Sequence, residues 1–87
     1  MNRRDILEKA DEFISATRDE VYGDPRKNHE RIAEIWSAIL GVDVTAEEVV
    51  LCMIAVKMSR LCETPRHEDS WVDIAGYAAL GGEICND

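Results

Sequence analysis

Asp73 stands in the stretch Trp71-Val72-Asp73-Ile74-Ala75-Gly76-Tyr77-Ala78-Ala79-Leu80, which holds no other charge. A carboxylate in such surroundings must be paired, hydrogen-bonded, metal-bound or protonated, because an isolated buried charge costs too much. Matching cations lie about one segment earlier. Lys57 and Arg60 interrupt the apolar run that begins at Val49 and continues to Leu61. They are three apart and share a helix face. Two readings follow. Either cation pairs with Asp73 inside the fold, or the two together hold a phosphate, Arg60 by its fork of donors and Lys57 as a point charge.

Asp69 and Asp73 are four apart and also share a face. Two carboxylates one helical turn apart can hold a hard cation such as Mg²⁺, which prefers oxygen ligands and keeps several waters or phosphate oxygens. Glu48, with Glu47 beside it, adds ligands if two helix N-termini meet. The structural alternative makes Asp69 a helix cap and Asp73 a buried partner of Lys57 or Arg60. A third candidate is Tyr22-Gly23-Asp24-Pro25 with Asn28 and His29. A glycine-containing loop feeding a helix N-terminus is a ready anion site. Tyr22 can stack on a base, Asn28 donates and accepts, and His29 offers a ring nitrogen to a ligand. A well-capped turn with a packed tyrosine explains the same residues. Trp36 and Trp71 read as core residues, with Trp71, beside Asp69, also placed to stack on a ring. No nucleophile motif, phosphate loop, dinucleotide fingerprint or histidine-rich metal set is present.

Four helices must position these groups, and no strand pattern is visible. Apolar residues at helical spacing predict a first helix over 3–18. Asp24 and Pro25 are a cap and a first-turn proline for a second over 26–40, which Gly41 stops. Thr45 and Glu48 form a capping box for a third over 45–61. Pro65 breaks the chain before a fourth over 69–80, with Gly81-Gly82 as the stop. The first two helices are amphipathic, and the last two are apolar almost all round and therefore central. The expectation is an all-α, single-domain four-helix bundle that forms a homo-oligomer through its surplus apolar faces.

The bulk numbers agree. A chain of 87 residues buries only roughly 60–65 % of its unfolded surface, so oligomerisation helps. An apolar content of 46 % is too high for disorder. The net charge of −8 argues against broad nucleic-acid binding, which needs clustered cations. It leaves metal coordination, docking on a basic partner, or a solvated acidic surface. No apolar run approaches the roughly 20 residues of a membrane span, and the charged first segment is not a signal peptide. Three cysteines at wide spacing fit neither a disulfide framework nor a zinc site and point to a reducing cytoplasm. Cys52 reads as a core residue.

The order Tyr22-Gly23-Asp24-Pro25 with Asn28, then Lys57-Met58-Ser59-Arg60-Leu61, then Asp69 to Ala78 resembles a small domain family of unknown function found in phages and prophages. More distantly, the last two helices resemble phage nucleotide-modification-associated domains and the MazG-like all-α nucleotide pyrophosphohydrolases. That resemblance implies an oligomeric bundle that binds a nucleoside phosphate with Mg²⁺. The enzymes' acidic motifs are incomplete here. Leu51 stands where the first motif has its last acid, and Asp69 to Asp73 is one residue longer than the second motif. Glu48 and Asp73 carry over, with Asp69 nearby. The resemblance thus implies a phage or prophage accessory protein that binds a nucleotide or nucleotide-derived signal, either sequestering it or keeping a vestigial nucleoside-triphosphate pyrophosphohydrolase activity. An acidic protein-interaction module is the alternative.

Overall fold

In the computed structural model the described residues are 1–15 and 23–86. They form α1 (Arg3–Phe13), α2 (Pro25–Leu40), α3 (Ala46–Glu63) and α4 (Glu68–Asn86). No strand occurs among them. The fold is all-α, as the sequence predicts.

Local chemistry sets most of the boundaries. The Asn2 side chain accepts from the Asp5 N–H, and the Asp5 carboxylate accepts from the Asn2 N–H, so α1 opens on a capping box. The helix ends at Phe13, short of the expected Arg18, whose position lies outside the described residues. Asp24 caps α2 through its Oδ1, which accepts from the Arg26 N–H at 3.0 Å, with Pro25 in the first turn. Gly41, at φ 70°, closes the helix in the left-handed region that glycine tolerates. Thr45 and Glu48 form the predicted box at the start of α3. Thr45→Ala removes the hydroxyl that caps the Glu48 N–H and is expected to lower stability by about 1 kcal/mol, measured by urea denaturation.

The fourth helix corrects an expectation. Gly81-Gly82 does not stop α4, which runs on to Asn86. Glycine weakens a helix by only about 1 kcal/mol, and burial of Ile84 against Ala46 and Val50 outweighs that loss. The absent side chain at Gly81 also lets α4 pass close to Val50.

α3 and α4 make the most extensive contact; α1 packs on α4 and α2 on α3. The contacts of Lys57 with Asp73 and of Val50 with Gly81 show that α3 and α4 run antiparallel. Val49, Val50, Leu61, Val72, Leu80 and Ile84 supply the larger buried apolar side chains. Apart from a depression at one end that Met1 and Ile6 border with Trp71, the two outer helices lie mainly on one side of the central pair. Its other side is bare, which is why Cys52 is exposed rather than in the core, and why Trp71 is 49 % exposed. On that bare side Leu51, Ala55, Met58 and Cys62 of α3 recur at alternating intervals of four and three. Trp71, Ala75, Ala78, Gly82 and Cys85 of α4 do the same.

Candidate functional site

The carboxylate that the sequence left in need of a partner has one. Lys57 Nζ lies 2.9 Å from Asp73 Oδ2, and each side chain is only 12 % exposed. α3 and α4 bring them level because both sit on the faces the two helices turn to each other. Arg60, three residues on, projects to solvent and does not join them. Asp69 lines one depression with Asp73, bordered by Lys9, Glu12 and Phe13. Glu48 is elsewhere. It is held in its capping box, nine residues before Lys57 and so about 13 Å away along the helix axis. Among the described residues no three His, Cys, Asp or Glu side chains converge on a point that could hold a metal ion. The structure therefore brings Asp69 to Asp73 but not Glu48 to either.

On the other side of Phe13 is a cavity of about 130 Å³. It lies where the end of α1 and the start of α2 meet the middle of α3 and α4. Phe13, Ile32, Met53, Tyr77 and Leu80 give it apolar walls, and Asn28 and His29 are its polar side chains. His29 is 6 % exposed. Its Nδ1 is 2.7 Å from the Pro25 carbonyl oxygen. A carbonyl only accepts, so Nδ1 carries the proton, and the neutral ring keeps the lone pair on Nε2 as an acceptor. The Phe13 ring meets Tyr77 edge-on, at 5.5 Å between centroids and 72° between planes. It rests on Gly76, where any Cβ would collide with it. Phe13 thus lines both the cavity and the depression around Asp73.

The remaining candidates fall into separate places. Tyr22 lies outside the described residues. Asp24 is occupied as the cap of α2, although its neighbours Gly23 and Pro25 line the cavity. Trp71 donates its indole N–H to the Pro65 carbonyl at 2.9 Å and stands at the tip of the α3–α4 turn, not at the cavity. The Arg26 guanidinium donates to the Glu83 carbonyl at 3.3 Å, tying the start of α2 to the last turn of α4 beside the cavity. Phe13, Met53 and Tyr77 were not among the predicted site residues. The one signal for them in the sequence is Gly76, a helix-interior glycine that marks a close approach.

Residues 5–85 match a protein family described as "Domain of unknown function (DUF6378)". The chain is 47 % identical over 76 residues to the "Gene 55 protein" of Mycobacterium phage L5, an alignment covering 86 % of this chain and 49 % of the phage protein. It is 40 % identical over 73 residues to the "Gene 55 protein" of Mycobacterium phage D29, covering 84 % and 48 %. The chain spans about half the length of these curated relatives. No solved structure matches it.

Proposed function

The chain belongs to the DUF6378 family, and from that premise we propose that it is a binding protein for a nucleotide or nucleotide-derived signal, of use to a phage as a means of sequestering that signal. The observation that carries this reading is the cavity beside His29. Ligand sites are concave and mostly apolar, with a few convergent polar groups. Here two aromatic rings and three aliphatic or thioether side chains surround Asn28 and a histidine whose acceptor is fixed by the Pro25 carbonyl. Such walls suit the flat, apolar faces of a nucleobase, and the two polar side chains suit its edge. Stacking then falls to Phe13 and Tyr77 rather than to Trp71. Lys57 is one turn of α3 beyond Met53, where its ammonium is paired with Asp73 beside the neighbouring depression.

The likeness of α3 and α4 to the MazG-like enzymes supports the choice of a nucleotide. It does not extend to their chemistry. Asp73 gives an oxygen to Lys57, Glu48 is committed to its cap, and no third ligand joins Asp69 among the described residues. That donor set does not fit a full Mg²⁺ site, so the reading is binding without turnover.

A thermal-shift screen of nucleoside triphosphates, monophosphates and cyclic nucleotides, with and without Mg²⁺, tests it. A ligand at a hundred times its Kd adds about 2.7 kcal/mol to stability, a rise in Tm of roughly 10–20 °C for a domain of this size. Asn28→Ala should abolish the shift while leaving the unliganded midpoint nearly unchanged. A flat response to every nucleotide rejects the proposal and leaves the protein-interaction reading.

A further inference from the structure

The bare side of the α3–α4 pair is large, apolar and uncharged. Leu51 is 63 % exposed, Met58 57 % and Trp71 49 %. Between Leu51 and Ser59 on α3, and between Trp71 and Gly82 on α4, the only charged residues are Lys57 and Asp73, which turn inward to each other. In a chain with 32 % charged residues an exposed face of that length without charge is not an ordinary solvated surface. The alternating four-and-three spacing on both helices is the pattern of a helix–helix seam.

We propose that this face is closed by a second copy of the chain. The accessible surface is 6179 Å², whereas a folded monomer of 9.8 kDa exposes roughly 5,200 Å². Taken over the whole chain, the excess, on the order of 1,000 Å², leaves room for the roughly 800 Å² each partner gives to a standard interface. The face is also self-complementary. α3 offers the large side chains of Leu51 and Met58, and α4 offers the small residues Ala75, Ala78 and Gly82 beside them. One surface holds both halves of a joint, as a two-fold contact requires. A two-fold axis parallel to the helices lays each α3 on the partner's α4, in a four-helix arrangement with antiparallel neighbours. Leu51 then packs on Ala78 and Gly82 of the other copy, and Met58 settles between Trp71 and Ala75. The net charge of −8 per chain repels two copies over most of their surface, and the uncharged face is where they can meet.

Sedimentation velocity from about 1 to 100 µM tests the proposal without reference to any ligand. The expected mass is twice 9.8 kDa. A monomer throughout that range, or assembly beyond two, overturns it, the monomer result pointing to a different protein as the occupant. Met58→Lys and Ala75→Glu each place a charge in the seam and should each give monomers with unchanged helical circular dichroism. Mixed in equal amounts they should sediment as dimers again, because one lysine then faces one glutamate across the seam. If α3 lay on α3 instead, the introduced lysine would face an unaltered Met58 in the mixture. The dimer would then not be restored, and that result rejects the register. If either variant loses helicity, Ala78→Glu, at an exposed position, reads the same interface.

Discussion

Asp73→Asn is expected to unfold the protein at ordinary temperatures or bring it to the edge of doing so. The substitution keeps the shape of the side chain but leaves the Lys57 ammonium, 12 % exposed, without its counter-charge. Breaking a buried pair from one side costs about 3–5 kcal/mol, against a total stability of roughly 5–15 kcal/mol for a native domain. With about 4–8 °C in Tm per kcal/mol in a domain of this size, calorimetry should show a fall of tens of degrees or no transition. Removing both charges is different. Lys57→Met with Asp73→Leu replaces the pair by apolar groups of similar volume and is expected to recover most of the lost stability, because the desolvation cost of two ions disappears with them. A double variant no more stable than Asp73→Asn would show that the pair does more than satisfy itself. The comparison also separates structure from ligand binding, which a single substitution at this site cannot do.

Gly76→Ala is expected to destabilise, against the rule for helix interiors. Alanine in place of glycine in a helix normally gains about 1 kcal/mol. At Gly76 the added Cβ meets the Phe13 ring, with Cδ1 nearest and Cε1 at 3.0 Å. The ring cannot slide freely, since Tyr77 holds its edge on one side. Overpacking of this kind costs about 1–3 kcal/mol, so the net effect in urea denaturation should be a loss where a gain is the default. Phe13→Leu in the same chain should relieve the clash, and the two changes should be strongly non-additive. Because Phe13 and Tyr77 both line the cavity beside His29, Gly76→Ala should also weaken any nucleotide shift beyond what stability alone explains.

These two residues mark how far the sequence could be read. Asp73 announced itself, since one carboxylate in an apolar helix must be answered, and only Lys57 and Arg60 stood at a suitable distance along the chain. Choosing between them needed the helix phase, which turns Lys57 inward and Arg60 out. The caps at Asp24, Thr45 and Gly41 were legible because their chemistry is local. The cavity was not, because its walls come from four helices, and no short-range pattern ties Phe13 to Met53 and Tyr77. Hydrophobicity alone places Cys52 and Trp71 in the core. That criterion cannot distinguish a residue buried within one chain from one exposed on a bare face. The alternating spacing along α3 and α4 was present in the sequence throughout, and it speaks of a seam rather than of a core.

Gly81 and Gly82 give the end of α4 a character of its own. Neither residue favours the helix, so the turn that follows is held from outside, by Ile84 resting on Ala46 and Val50 in the first turns of α3. Backbone amides there are shielded from solvent exchange only while that contact lasts. The start of α3 and the end of α4, far apart along the chain, therefore open as one unit. The Arg26 to Glu83 bond ties the same unit to the helix that carries His29. Slowed amide exchange over 83–86 would thus report a filled cavity from a segment that never touches what fills it.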